Sequence, residues 1–460
     1  MKKWLIIGIT IRIIIIPITY HPDLNLFFLG NYLLLAKQMW VGFYDFLGSS
    51  SDPLAMVQPP TAFTYPPLAI LSSGLFANVL YRLVDLDWVR EVILDPGRYV
   101  GSLEFSGLLF LSKLHLLVAD LGVGLLLYQL VKTRFYSENL ALKSFALWML
   151  NPITLYATFA IGQFDIYPVF FMTLAVWLVN KSNIKYKKLN IEFPPHYLAA
   201  FSLGIGGAFK LFPLLFLPFL ISGYGKSVKE KLKIALTGGL GYLIPILPYL
   251  PSSGFRNYAL LAPQTDKMLF ARISVSGAEY LSLFLIGYVV LWWWWFKFCK
   301  DTSAQTNLRL PQSLELWKPM ATVLLLFFSV THFHPQWFVW VSPWLILMLF
   351  SPFYQGRESP QAMQTTQRVN GGHLLNSGLV MPITVLLLCY LILVTSFEST
   401  LNWGIFVWNQ GAPDLMTFLP QFMQLEKFKY LSLIRSFFAG TSVYLIFLIF
   451  NNLRYVDRHK

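Results

Sequence analysis

Four short stretches carry polar side chains at odds with the apolar sequence around them. "HPDLN" (21–25) places Asp23 and Asn25 directly after a run of aliphatics. "IGQFD" (161–165) supplies Gln163 and Asp165, "FKLFP" (209–213) supplies Lys210, and "THFHPQWFVW" (331–340) supplies His332, His334 and Gln336. Arg272 stands in a further polar segment, 251–278. A carboxylate such as Asp23 serves as a general base toward any hydroxyl within hydrogen-bond reach. Lys210 and the imidazoles are residue types that hold phosphate, and the aromatic residues between them suit an isoprenoid tail. Each stretch also has an ordinary reading: Asp23 as a polar stop at a helix end, Asp165 as a helix cap, the rest as solvated turns. Ionisable groups at a membrane edge are costly to keep, and four such stretches at one depth point to a shared site.

The elements that would position them are membrane helices. The chain has 460 residues, 56% hydrophobic and only 12% charged, where soluble domains carry about a quarter charged residues. Cys299 and Cys389 are the only cysteines, so no disulfide framework, CxxC pair or zinc spacing exists. The net charge of +13 lies mainly in short segments between apolar runs, which reads as topology; no nucleic-acid partner is expected. The N-terminus, "MKKWLIIGITIRIIIIPITY", starts like a signal peptide but lacks a small-x-small cleavage site, so it is read as a retained first span. Arg12 inside it costs roughly 2.5–3.5 kcal/mol on insertion scales and is expected to face protein.

Twelve apolar runs stand out: 4–20, 106–131, 140–159, 163–180, 197–209, 211–222, 232–250, 279–299, 319–333, 336–350, 378–396 and 431–453. A bilayer core needs about 20 residues per helix, so 197–209 and 211–222 are short and read as a pair meeting at Lys210. Basic residues set the sides. Lys2 and Lys3, Lys132 and Arg134, "KSNIKYKK" (181–188), "GKSVKEKLK" (225–233), Lys297 and Lys300, Arg357 and Arg368, and Arg454 to Lys460 all fall on the cytoplasmic side of a twelve-span bundle. Counting "YPPLAILSSGLFANVLYRL" (65–83) as a span would put Lys132 and Arg134 outside, so it is expected to lie on or half within the outer leaflet. The expectation is an all-α polytopic bundle in a single domain, 1–460. Its first outer loop, 21–105, holds amphipathic helices and the candidate catalytic Asp23; 251–278 and 397–430 are the other outer segments.

One carboxylate, several cations and an aromatic cleft together describe sugar transfer from a polyprenyl-phosphate carrier. Phosphate is the leaving group there, and no Walker loop, dinucleotide fingerprint or nucleotide-type DxD is visible on a soluble domain. No cofactor is expected. A transporter or flippase of a lipid-linked or anionic substrate is the alternative, since it too uses charges at membrane depth and broken helices. A ligase moving whole glycans shares the donor chemistry but is expected to need an Arg-rich outer loop, whereas 251–278 holds only Arg256 and Arg272.

Six stretches in order carry a resemblance: "HPDLN" (21–25), "TYPPLA" (64–69), "KLHLLVADLGVGLLLYQL" (113–130), "LNPITLYATFAIGQFD" (150–165), "KLFP" (210–213) and "HPQWFVWVSPW" (334–344). In this order the chain resembles the GT-C superfamily of integral-membrane glycosyltransferases, and within it the first mannosyltransferases of GPI-anchor assembly. The resemblance implies a dolichyl- or polyprenyl-phosphate-mannose donor and inverting transfer on the non-cytoplasmic side. It places the base at Asp23, the first acidic position of the family's Asp-x-Asp motif. The second position is Asn25 here, which leaves one carboxylate and argues against a metal. Lys210 and Gln336 match positions that the resemblance assigns to donor phosphate or sugar, and Asp165 matches an outer-turn Asp. A GPI acceptor is not carried over. The short loops lean toward a prokaryotic plasma membrane with the site outside, or the ER membrane in a eukaryote.

Overall fold

The first helix, α1 (Lys2–Ile18), carries Arg12 into the interior, where it is fully buried. Its Nε donates to Asp120 Oδ2 at 2.6 Å and its Nη1 donates to the carbonyls of Gly8 and Met149 at 3.0 and 2.7 Å. The expensive charge therefore faces protein, as its cost requires. The computed structural model describes residues 1–49, 51–57, 63–135, 137–181, 184–186, 191–260, 263–305, 315–350, 377–397 and 427–458. Arg357, Arg368 and most of the segment 397–430 lie outside the described residues.

After α1 come α2 (Leu24–Leu35), the short α3 (Phe43–Ser49) and α4 (Pro53–Val57), then α5 (Leu68–Leu80) and α6 (Leu86–Leu94). The expectation that this segment holds amphipathic helices fits α6, whose Val89, Val92 and Ile93 are buried and whose first turn is capped by Asp85. It fails for α2, which is buried on every face from Leu24 to Leu34. A helix apolar all round needs cover all round, and α5 and α6 supply part of it. α5 has 13 residues, about 20 Å of helix, which is short of the roughly 30 Å hydrocarbon core.

The run 106–131 is two helices, α7 (Leu103–Leu114) and α8 (Leu116–Phe135), meeting at His115. The run 140–159 is also interrupted: α9 (Glu138–Met149) gives way to the one-turn α10 (Pro152–Thr154) and a π-turn at 155–160. Asn151 restarts the helix by accepting from the Ile153 N–H, with Pro152 at the first position, where no N–H is needed. α11 (Ile166–Val179), α12 (Pro195–Gly207), α13 (Leu217–Tyr224) and α14 (Val228–Ile246) come next. α12 and α14 touch backbone to backbone, for a Cβ on Gly204 would meet the Gly238 carbonyl at 2.1 Å. The remainder is α15 (Leu283–Gln305), α16 (Trp317–Val330), a 3₁₀ turn at 335–340, α17 (Ser342–Phe350), α18 (Ser377–Phe397) and α19 (Lys427–Arg458).

All twelve apolar runs thus contain helix, but only five described helical stretches are long and apolar enough to cross a bilayer: Leu116–Arg134, Val228–Tyr249, Leu283–Lys300, Gly378–Thr395 and Lys429–Asn451. The chain is a multi-pass, mostly helical membrane protein on that evidence. Two antiparallel hairpins depart from all-α: β1 (Ile184–Tyr186) with β2 (Ile191–Phe193), and β3 (Arg272–Ser274) with β4 (Tyr280–Ser282).

Candidate active site

Two loops built the same way bring the first two polar stretches together. α1 ends at Ile18 and the chain turns through His21 and Pro22 into Asp23, the residue before α2. The π-turn ends at Ala160 and the chain turns through Gly162 into Asp165, the residue before α11. Gly162 has φ of +84°, and a Cβ there would meet Leu24 Cδ2 at 2.6 Å, so both its conformation and its neighbour demand glycine. Across this contact the Gln163 amide donates to Asp23 Oδ2 at 2.5 Å. The Asp23 N–H donates to His21 Nδ1 at 3.2 Å. Neither aspartate caps its helix with its side chain, which removes capping as the explanation for Asp165.

The two carboxylates live in different surroundings. The Asp23 side chain is 44% exposed, whereas that of Asp165 is 1% exposed. Asp165 Oδ1 accepts from Lys210 Nζ at 2.8 Å and from the Trp340 indole N–H at 2.9 Å. Lys210 is itself boxed by aromatic faces, with Tyr65, Phe164, Trp337 and Trp340 centroids at 5.3, 5.6, 4.7 and 5.0 Å. Burial pulls the Lys210 ammonium below its ordinary range, and Asp165 and then Asp23 oppose that pull. Lys210, expected at donor phosphate, has its charge paired with Asp165 inside the protein. The Tyr65 hydroxyl titrates far above its ordinary value, first through burial and then through Asp23 and Asp165, so it lies in the field of both carboxylates.

A second charged zone adjoins the box. Lys267 lies with its ammonium 4.4 Å from the Trp337 centroid. Burial and the nearby Lys210 pull it down to about 8. His332 and His334 stand edge to face at 4.8 Å, and His334 packs on Trp337 at 4.6 Å. Arg435 of α19 donates to the Thr331 carbonyl at 2.8 Å. His332 is lowered by burial first, then by Lys267 and Arg435. Gln336 is buried in the same turn, and its Oε1 has no hydrogen-bond partner.

Asp23, Gln163, Asp165 and Lys210 are thus brought together, with His332, His334 and Gln336 on the neighbouring turn. Two predicted site residues are not. Asn25 is buried in the first turn of α2 and accepts from the Tyr20 hydroxyl at 2.9 Å. Arg272 sits exposed on the β3–β4 hairpin with its guanidinium over Tyr280 at 4.6 Å. Sequence reasoning gave no role to Tyr65, Trp337 and Trp340, although they lie in stretches that carry the resemblance, and it missed Lys267 and Arg435. Arg435 had a signal, a lone cation inside an apolar run, like that of Arg12; Lys267 had none. Chemically the arrangement offers one accessible carboxylate, fixed in orientation by an amide, beside aromatic faces and cations suited to an anion.

No family model matches the chain, and no curated protein matches its sequence. Among solved structures, the crystal structure of ArnT from Cupriavidus metallidurans bound to undecaprenyl phosphate aligns over 99% of this chain and 77% of its own, at 12% identity and a TM-score of 0.48. At that distance the likeness assigns neither fold nor activity.

Proposed function

We propose that this chain is an integral-membrane glycosyltransferase of GT-C type, using a polyprenyl-phosphate-linked hexose, mannose by resemblance, as donor. The acceptor is a lipid or glycan hydroxyl on the non-cytoplasmic face. The observation that carries the reading is the contrast between the two carboxylates. Asp165 is buried and neutralised by Lys210, while Asp23 is open on one side and held by Gln163 on the other. In the proposed step the acceptor oxygen attacks the anomeric carbon opposite the phosphate, and Asp23 takes the hydroxyl proton. The bond from anomeric carbon to phosphate oxygen breaks, polyprenyl phosphate leaves with that electron pair, and configuration inverts. Lys267, with Arg435 and His332 beside it, supplies charge for the phosphate in place of Lys210. Trp337 and Tyr65 offer apolar faces for the sugar.

The test is label transfer. Purified protein in liposomes, given radiolabelled polyprenyl-phosphate-mannose and a lipid extract, should move label into a product distinct from the donor and release polyprenyl phosphate. Movement of intact donor between leaflets with no cleavage would overturn the reading in favour of a flippase.

A further inference from the structure

Lys113, near the end of α7, is fully buried, and among the described residues no carboxylate pairs with it. Its Nζ instead faces five oxygens. Thr19 O lies at 2.6 Å, Phe159 O at 2.9 Å, Thr19 Oγ1 and Ala160 O at 3.1 Å, and Ile16 O at 3.3 Å. Four of the five are carbonyl oxygens that can only accept, which fits the three protons of an ammonium. They come from two places, the C-terminal end of α1 and the C-terminal end of the π-turn. Helix ends leave carbonyls unsatisfied and carry partial negative charge, so one cation there answers two helix termini at once. Gly162 is part of the same arrangement, since a Cβ on it would crowd Lys113 Cε at 3.2 Å.

Each of these two ends leads directly into a site residue. Four residues beyond Thr19 is Asp23, and three beyond Ala160 is Gln163. We propose that Lys113 is a positioning residue: its ammonium ties the end of α1 to the end of the π-turn and thereby sets the Gln163–Asp23 contact. It touches no substrate in this scheme, and the proposal rests on Asp23 being the base. In that reading donor phosphate is held elsewhere, on the turns at 263–269 and 331–340 and on α19; Lys113 hydrogen-bonds to none of these, although the π-turn it holds packs against 335–340.

That separation makes the proposal testable. Lys113→Met keeps the length of the side chain and removes the charge. Transfer from polyprenyl-phosphate-mannose should fall about 10- to 100-fold in kcat, the range for a reacting group displaced by about an ångström. The donor KM should stay within about twofold. Amide hydrogen exchange, read on the same preparation, should quicken in 19–25 and 160–165 and stay unchanged in 263–269. If Lys113→Met does not fold, Lys113→Ala prepared with and without ethylammonium replaces it, and the added cation should restore both kcat and protection. Unchanged kcat and exchange would overturn the proposal. So would exchange that quickens uniformly, or a KM that rises as kcat falls, because these mark a residue of general stability. Should the wild-type protein transfer no sugar, the functional reading fails, and the exchange data alone still decide whether Lys113 ties the two loops.

Discussion

The Gln163 amide donates to Asp23 Oδ2 at 2.5 Å across 140 residues of sequence. This contact aims the more exposed of the two carboxylates. Asp23→Asn keeps size and polarity but cannot accept a proton, and turnover should fall at least about 100-fold. Donor affinity, measured by titration of a fluorescent polyprenyl-phosphate analogue, should be nearly unchanged. Near-normal turnover would remove Asp23 from the role of base.

Lys210 and Asp165 form a buried pair, and removing one partner of such a pair costs about 3–5 kcal/mol. Lys210→Met and Asp165→Asn should each lower the melting temperature in detergent. The double variant should be less damaged than the sum, with a coupling of about 0.5–3 kcal/mol. Additive losses would show that the two residues act independently.

Lys267 titrates at about 8 through burial and the charge of Lys210. If it holds donor phosphate, kcat/KM for donor should be level below that pH and decline above it, because the protonated form binds the anion. Lys267→Met should weaken donor binding below pH 8 and abolish the decline. A wild-type profile flat to pH 9.5 would separate Lys267 from the donor.

Asp165 already accepts from Lys210 and Trp340, which leaves Asp23 as the one accessible carboxylate of the pair. Transfer should therefore persist in excess EDTA. Loss of activity that manganese restores would recast Asp23 as a metal ligand.

The sequence showed where the polar stretches are because each interrupts an apolar run, and Asp23, Gln163, Asp165 and Lys210 were all visible that way. It also required Arg12 to face protein, and Asp120 is the partner it meets there. Which groups cancel one another was hidden. Lys210 and Asp165 are 45 residues apart and lie in separate turns, and only packing of α11 against α12 makes them a pair. Lys267 lies in a polar segment where one more lysine is unremarked, and its place over Trp337 is a tertiary fact. The burial of α2 was likewise hidden, since its apolar sequence gives no account of what covers it. The bond from Tyr20 to Asn25 was hidden as well, since it depends on where α2 begins.

The Arg12–Asp120 pair bears on how the protein is made. Its two halves are separated by 108 residues, so at about 5–20 residues per second the first helix waits roughly 5–20 s before its counter-charge has been synthesised. During that interval α1 carries an unpaired guanidinium at a depth where lipid does not solvate it. It must stay near the translocon or at the interface, and it settles only when α8 arrives. Stopping synthesis before residue 120 should leave α1 extractable by alkali, and releasing the chain a few tens of residues later should not.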